Sequence, residues 1–111
     1  MRRPHSFSTR TIEIVRLLGL EIARARRARR WSQEELAERA GISAGTLRSV
    51  ERGSPSATIG IAFEVASLVG IDLLGASPDE LPARVARSQD RLELLPSRVR
   101  ARASDELDDD F

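Results

Sequence analysis

The stretch from Trp31 to Gly53 constrains the fold of this chain more than any other part of its sequence. Ser32 precedes Glu35 by three residues, which is the capping-box pattern that satisfies unpaired backbone donors at a helix start. Leucine and alanine then recur at helical spacing. The helix is predicted to end at Gly41, because glycine adopts the left-handed conformation of a helix end at the lowest cost. Ser43 can cap a second helix, with Leu47 and Val50 on its inner face, that ends at the last glycine of the stretch. The pattern therefore predicts two short helices joined by a tight turn.

A pair of helices of this kind has a known mechanical use. Two short helices joined by a three- or four-residue turn that contains glycine form a helix-turn-helix unit. On DNA, the first helix crosses the backbone and the second presents its N-terminal residues to base edges in the major groove. An ordinary helical hairpin in a small bundle is the alternative. A basic helix before the pair and an apolar helix after it favour the DNA-binding interpretation.

The sequence from about residue 12 to 75 resembles the Cro/phage-repressor-like (XRE) helix-turn-helix family. The residues that carry the resemblance are Leu18-Gly19, Ile22, Arg26, Ser32-Gln33-Glu34-Glu35-Leu36-Ala37, Ala40-Gly41-Ile42-Ser43, Thr46-Leu47 and Val50-Glu51-Arg52-Gly53. The resemblance implies an all-α fold: a five-helix lambda-repressor-like helix-turn-helix domain with a C-terminal helical or extended appendage. The fifth helix of that domain would be a short turn or helix over 71–74.

Helical periodicity and capping residues divide the chain into segments. Helix 1 is predicted from about Thr9 to Arg29, helix 4 from a Thr58 cap to Gly70, and a later helix over about 79–94. The predicted organisation is a flexible arm (1–8), a DNA-binding domain (9–75), a dimerisation or partner-binding segment (76–100) and an acidic tail (101–111).

Nine positions are predicted to contact DNA: Gln33, Ser43, Ala44, Thr46, Arg48, Ser49, Arg52, Arg29 and Arg30. The family pattern implies that Gln33 contacts a phosphate or an adjacent base edge. On the second helix of the unit, the outward positions are predicted to be Ala44, Gly45, Arg48, Ser49 and Arg52, with Ser43 and Thr46 at the margin. Arg48 is the best candidate for reading a base, because arginine can bridge guanine O6 and N7.

This predicted readout surface is thin compared with that of the family. Many relatives carry a polar residue where Ala44 stands and an arginine where Ser49 stands. Ala44 and Gly45 can offer only a thymine-methyl contact or a close approach of the backbone. We therefore expect affinity to depend mainly on phosphate contacts and on the spacing of two half-sites in a dimer.

The end of helix 1 is densely basic. Five arginines lie between Arg24 and Arg30, more than the helix dipole needs, so phosphate contacts are predicted for some of them, Arg29 and Arg30 in particular. In the N-terminal arm, Arg2 and Arg3 could reach a DNA groove, although a solvated tail is the preferred interpretation.

Two features next to this basic end are interpreted as structural. The family resemblance implies that Arg26 and Glu51 form a partly buried ion pair tying helix 1 to the third helix. Such a pair is weak evidence for net stability, but removing one partner alone is costly. Trp31 could stack on a base, but the family usually has an apolar core residue here, so core packing is predicted.

The C-terminal segment carries a heptad-like apolar seam. Spacings of four and three residues alternate along Leu81, Val85, Ser88, Leu92, Leu95 and Val99, of which only Ser88 is polar. A helix of this length is marginal in water alone, so it must pack on its own domain, on a second copy of the chain or on another protein. The acidic tail over 105–111 is predicted to be disordered when free.

Composition excludes several classes of function. Residues 1–60 hold twelve arginines and six glutamates, whereas residues 61–111 hold six arginines and eleven acidic residues, so the basic half is the one that faces a polyanion. The sequence contains no cysteine, which excludes a disulfide framework, and it contains a single histidine. No metal site and no cofactor are therefore predicted. No phosphate loop, nucleophile motif or acid–base cluster is present, so the chain is predicted not to be an enzyme. No apolar run reaches membrane-spanning length, and a cytoplasmic protein at the bacterial nucleoid is expected.

A narrower resemblance concerns the partner. The segments IGIAFEVASLVGI (59–71) and RLELLPSRVR (91–100), with the Asp-rich terminus, resemble HipB-like antitoxins encoded beside HipA-type kinase toxins. This resemblance implies a homodimer that represses its own operon at a pseudo-palindromic double-stranded operator and neutralises a HipA-like kinase. The alternative is a stand-alone XRE-type transcription regulator that uses 79–100 only for dimerisation.

Overall fold

The computed structural model describes residues 6–98, which form five α-helices. They are α1 (Thr9–Ala28), α2 (Gln33–Ala40), α3 (Ala44–Glu51), α4 (Ile59–Leu68) and α5 (Leu81–Glu93). No strand occurs in this part of the chain, and the predicted all-α helix-turn-helix class is confirmed. The predictions for Arg2, Arg3, Val99 and the acidic tail lie outside the described residues.

Serine side chains start the first three helices. The Oγ atoms of Ser8, Ser32 and Ser43 accept backbone N–H groups at 3.2, 3.0 and 3.0 Å. The predicted capping box is complete, because the backbone N–H of Ser32 also donates to Oε1 of Glu35 at 2.7 Å. Thr58 occupies the cap position of α4 as predicted, but its side chain makes no capping hydrogen bond. Local sequence therefore fixes the helix starts through α3 by the expected chemistry.

One buried side chain from each of the first four helices forms the centre of the core. Ile22 of α1, Leu36 of α2, Leu47 of α3 and Val65 of α4 have no solvent exposure. Val50 is also buried, which confirms the predicted inner face of α3. Trp31 is half-buried and packs against this cluster, in agreement with its predicted core role.

The segment after α4 forms turns. Left-handed glycines stand at both of its ends, Gly70 with φ of 85° and Gly75 with φ of 67°, and the four residues at 71–74 make no helix between them. The short fifth element implied by the family resemblance is thus a turn, and the fifth helix of the described chain is α5. The chain divides after Gly75 into two compact units, Met1–Gly75 and Ala76–Phe111.

The helix α5 is slightly shorter than predicted. The backbone carbonyl of Ser77 accepts the backbone N–H of Glu80, and the backbone N–H of Ser77 donates to Oε1 of Glu80. These two bonds make a separate turn before the helix begins at Leu81. All thirteen residues of α5 are exposed. The described members of the predicted seam remain 41–68% exposed: Leu81, Val85, Leu92 and Leu95.

Candidate nucleic-acid interface

The turn between α2 and α3 is closed by backbone hydrogen bonds. Gly41 adopts φ of 72°, and the next N–H, that of Ile42, donates to the carbonyl of Ala37 at 3.0 Å. Ile42 is half-buried against the core, while Ser43 caps α3. The angle between the two helices is therefore fixed by a left-handed glycine, an apolar anchor and a cap within three consecutive residues.

A buried ion pair anchors the C-terminal end of α3. Nε of Arg26 lies 2.7 Å from Oε2 of Glu51, and Nη2 lies 3.1 Å from Oε1; each side chain is only 7% exposed. Nη1 of Arg26 donates to the carbonyl of Trp31 at 2.9 Å, and Nε2 of Gln33 donates to Oε1 of Glu51 at 2.9 Å. This network joins α1, the loop after it, α2 and α3. Both charges have several hydrogen-bond partners, as burial requires.

Two glycines let α3 approach the backbone of α1 closely. A Cβ built on Gly19 would lie 2.5 Å from the carbonyl oxygen of Glu51 and 2.6 Å from that of Val50. A Cβ on Gly53, whose φ is 78°, would lie 2.6 Å from Cα of Arg16. Side chains are excluded at both positions, so α3 is held on α1 at main-chain contact distance.

The outer face of α3 carries the exposed Arg48 and Gly45, and the exposed Arg52 follows as the C-cap of the helix. The Nη2 atom of Arg48 lies 3.7 Å from the place where a Cβ of Gly45 would be, so this guanidinium leans towards the start of the helix. Thr46 and Ser49 are half-buried at the margins of this face. The Ser43 and Thr46 hydroxyls lie 2.9 Å apart and are hydrogen-bonded to each other.

The predicted outward position of Ala44 was wrong. Ala44 is half-buried and packs against the core cluster. Its position explains this, because Ala44 precedes Leu47 by three residues and therefore shares the inner face of the helix with it. Its contact with DNA stays a prediction, made from a half-buried position like those of Thr46 and Ser49.

Arg29 makes a contact within the protein that the sequence did not predict. Its Nε and Nη2 atoms donate to the carbonyl of Val69 at 3.3 and 3.0 Å, which satisfies an acceptor at the end of α4. A Cβ on Gly70 would lie 2.7 Å from Nη2, so the glycine leaves space for the guanidinium. Arg29 is nevertheless exposed, and its contact with a phosphate stays a prediction. Arg29 and Val69 are forty positions apart in the sequence, which explains why no local pattern indicated this bond.

The remaining predicted contacts stay near the surface. Arg30 is exposed and adopts φ of 61°, a left-handed conformation. Gln33 is half-buried, and its side chain donates one N–H to Glu51. Arg39, which the sequence did not single out, lies 4.2 Å from the centre of the Trp31 ring in a cation–π contact.

Comparison with known proteins agrees with this geometry. A family model described as helix-turn-helix matches residues 22–75. Over 60 residues the chain is 35% identical to the uncharacterized HTH-type transcriptional regulator y4dJ of Sinorhizobium fredii (strain NBRC 101917 / NGR234), a match that covers 54% of this chain and 78% of that relative. The chain belongs to the helix-turn-helix family of DNA-binding transcriptional regulators. The helix-turn-helix match ends at Gly75, where the first compact unit also ends.

None of the solved structures matches this helix-turn-helix chain. Among the residues that the structure describes, no helix combines the length and apolar character needed to cross a bilayer.

Proposed function

We propose that this helix-turn-helix regulator is a repressor that binds a pseudo-palindromic operator as a homodimer, with the outer face of α3 in the major groove. The observation that carries the proposal is the contrast between the two faces of α3. The inner face is fixed to α1 by the Arg26–Glu51 pair, whereas Arg48 and Arg52 project from the exposed face. A rigid helix with exposed guanidinium groups suits base recognition.

Within this proposal the side chains have distinct roles. Arg48 reads a guanine, Thr46 and Ser49 make short hydrogen bonds to bases or phosphates, and Gly45 permits close approach of the helix backbone. Arg30 and Gln33 contact phosphates. Two copies are needed because each half-site alone offers few base contacts. They would place their α3 helices about one helical turn of DNA apart, on the order of 34 Å.

Arg48→Ala tests the base-reading role. We expect the variant to lose preference at one base pair in each half-site, with a penalty of about 1–3 kcal/mol, while binding to other sequences changes little. Selection from randomised duplexes, followed by competition binding, measures this. Arg87→Ala on α5 is the matched control, since it removes an exposed arginine from the other compact unit. An unchanged sequence preference in Arg48→Ala would remove it from the base-reading residues.

Arg30→Gly tests the phosphate contact without disturbing the fold. Glycine adopts the left-handed φ of 61° more easily than arginine, so we expect the free energy of unfolding to stay constant or to rise by up to about 1 kcal/mol. Affinity should fall for all sequences alike, and the slope of log K against log salt should become shallower by about 0.9 for each bound copy, which is about 1.8 for the dimer. Fluorescence anisotropy across a salt series measures both. A slope identical to that of the unmodified protein would contradict the contact.

The proposed partner is a HipA-like kinase, with the repressor acting as the antitoxin of its own operon. The support is the resemblance of 59–71 and 91–100 to HipB-like antitoxins together with the exposed apolar seam of α5. A stand-alone regulator that uses the seam only for dimerisation is the alternative. Val85→Glu/Leu92→Glu separates the two when the chain is co-purified with a HipA-like kinase, if the adjacent gene encodes one. The antitoxin role predicts lost kinase capture with a retained dimer, whereas loss of the dimer alone supports the alternative.

A further inference from the structure

The helix α1 has an apolar stripe on the side that the core does not use. Ile14, Leu17 and Leu20 are 58, 59 and 53% exposed, although the opposite side of the same helix packs in the core through Ile22. Together with Arg10, Glu13 and Arg16 they line a shallow open hollow of about 340 Å³. Three large apolar side chains this exposed within two helical turns form a patch that a soluble protein normally covers.

The charges at the ends of this stripe indicate what covers it. Glu13, Leu17, Leu20 and Arg24 follow one another at spacings of four, three and four residues, which places them along one line of the helix. The line reads negative, apolar, apolar, positive. Reversing its direction exchanges the two charges and leaves the leucines facing leucines, so the line is complementary to an antiparallel copy of itself.

We propose that the surface formed by Glu13, Leu17, Leu20 and Arg24, here called the α1 seam, binds the same seam of a second copy of the chain in antiparallel orientation. Glu13 then faces Arg24 of the second copy, and Leu17 faces its Leu20. A parallel pair would instead bring Glu13 against Glu13 and Arg24 against Arg24, which like-charge repulsion disfavours. A two-fold antiparallel pair contains each contact twice, as closed dimers require.

The α1 seam leaves the recognition helix accessible. Successive residues of an α-helix are rotated by about 100°, so Leu17 and Gly19 point to nearly opposite sides of α1. The backbone of α3 lies against Gly19, 2.5 Å from its Cβ position. Pairing through Leu17 therefore occurs on the side of α1 that faces away from α3.

The intrahelical contact of Arg24 does not prevent this pairing. Nη2 of Arg24 lies 2.7 Å from Oε1 of Glu21 within the same helix, but the two side chains are 68 and 44% exposed. Exposed pairs of this kind contribute little to stability. Arginine also carries five N–H donors, so the guanidinium can keep Glu21 and accept Glu13 of the second copy.

The α1 seam would be the contact surface of the homodimer, and in this respect it rests on the proposed function. Its test uses no DNA, so a failure of the seam and a failure of DNA recognition give different results. A seam of four positions is shorter than a standard interface of about 1,600 Å². We therefore expect weak association in the free protein, strengthened when two copies share one duplex.

Charge reversal in the full chain, read by sedimentation equilibrium, tests the seam. We expect Glu13→Arg to weaken self-association about tenfold and Arg24→Glu to do the same, because each places like charges opposite one another. The double variant Glu13→Arg/Arg24→Glu should associate like the unmodified chain, and an equimolar mixture of the two single variants should recover association. Glu38→Arg, an exposed position on α2, is the control for the added charge.

Cysteine cross-linking gives the orientation independently, because the sequence contains no cysteine. A mixture of Leu17→Cys and Leu20→Cys chains should form a disulfide dimer faster than either chain alone. Faster cross-linking of each variant with itself would indicate a parallel pair and overturn the proposal. A chain that stays monomeric at all concentrations, or a dimer that none of the charge reversals weakens, would overturn it as well.

Discussion

Glu51→Ala is expected to lower the free energy of unfolding by about 3–5 kcal/mol, the cost of leaving one member of a buried ion pair without its partner. Arg26 would keep its contact with the Trp31 carbonyl but lose both bonds to Glu51, at 2.7 and 3.1 Å. Gln33 would lose its acceptor too. A domain of this size has a total stability of about 0.05–0.15 kcal/mol per residue, so the loss would remove much of it.

Urea unfolding followed by the fluorescence of Trp31, the single tryptophan, measures this change. Glu21→Ala is the matched control, because it removes the same kind of side chain from an exposed pair, Glu21–Arg24, and should change stability by less than about 1 kcal/mol. Replacing both members of the buried pair, as in Arg26→Met/Glu51→Leu, should recover part of the loss, since no isolated charge is left. A Glu51→Ala protein within 1 kcal/mol of the unmodified chain would show that water compensates the buried guanidinium.

The same pair also holds in place the helix that is proposed to read DNA. Glu51 is the last residue of α3, and its carboxylate is bonded both to Arg26 of α1 and to Gln33 of α2. Arg48 lies three residues earlier on the same helix, about 60° around its axis from Glu51, and is exposed. A contact that fixes the end of α3 therefore fixes the direction in which Arg48 projects, without itself touching DNA.

Elements that depend on neighbouring residues were predictable from the sequence. The caps at Ser32 and Ser43, the left-handed Gly41 and the inner positions Leu47 and Val50 follow from spacings of a few residues. Local rules are sufficient in these cases because both partners lie within one helical turn or one turn of chain. The predicted α5 was extended too far towards its start, since Ser77 and Glu80 satisfy each other in a separate turn.

Contacts between residues far apart in the sequence were harder to predict. The proximity of Arg26 and Glu51, which are 25 residues apart, came from the family resemblance rather than from any local pattern. No family pattern indicated the bond from Arg29 to Val69, and the densely basic sequence around Arg29 suggested only a phosphate contact. The exposed stripe of α1 was also missed, because the inner apolar stripe of the same helix already accounted for its periodicity.

Gly19→Ala carries the second large effect, and here the reason is the space between two helices. Gly19 lies inside α1 with an ordinary helical backbone, so alanine alone should favour the helix by about 0.5–1 kcal/mol. Its methyl group would, however, meet two main-chain carbonyl oxygens of α3 at 2.5 and 2.6 Å, and neither can rotate away. We expect the clash to exceed the gain and to lower the free energy of unfolding by about 1–3 kcal/mol, because α3 must move away from α1.

Gly60→Ala, the same substitution at another helical glycine, is expected to change the free energy of unfolding in the opposite direction. Gly60 lies in α4, and a Cβ built there has no neighbour within 4 Å, so this variant should be more stable than the unmodified chain by up to about 1 kcal/mol. Urea unfolding of both variants measures the difference, and DNA binding at a temperature where both are folded measures the displacement of α3. Gly19→Ala should bind DNA more weakly even when fully folded, whereas Gly60→Ala should bind normally. Equal stabilisation by the two substitutions would mean that α3 tolerates a methyl group between it and α1, and that the close approach of the two backbones is not what positions the recognition helix.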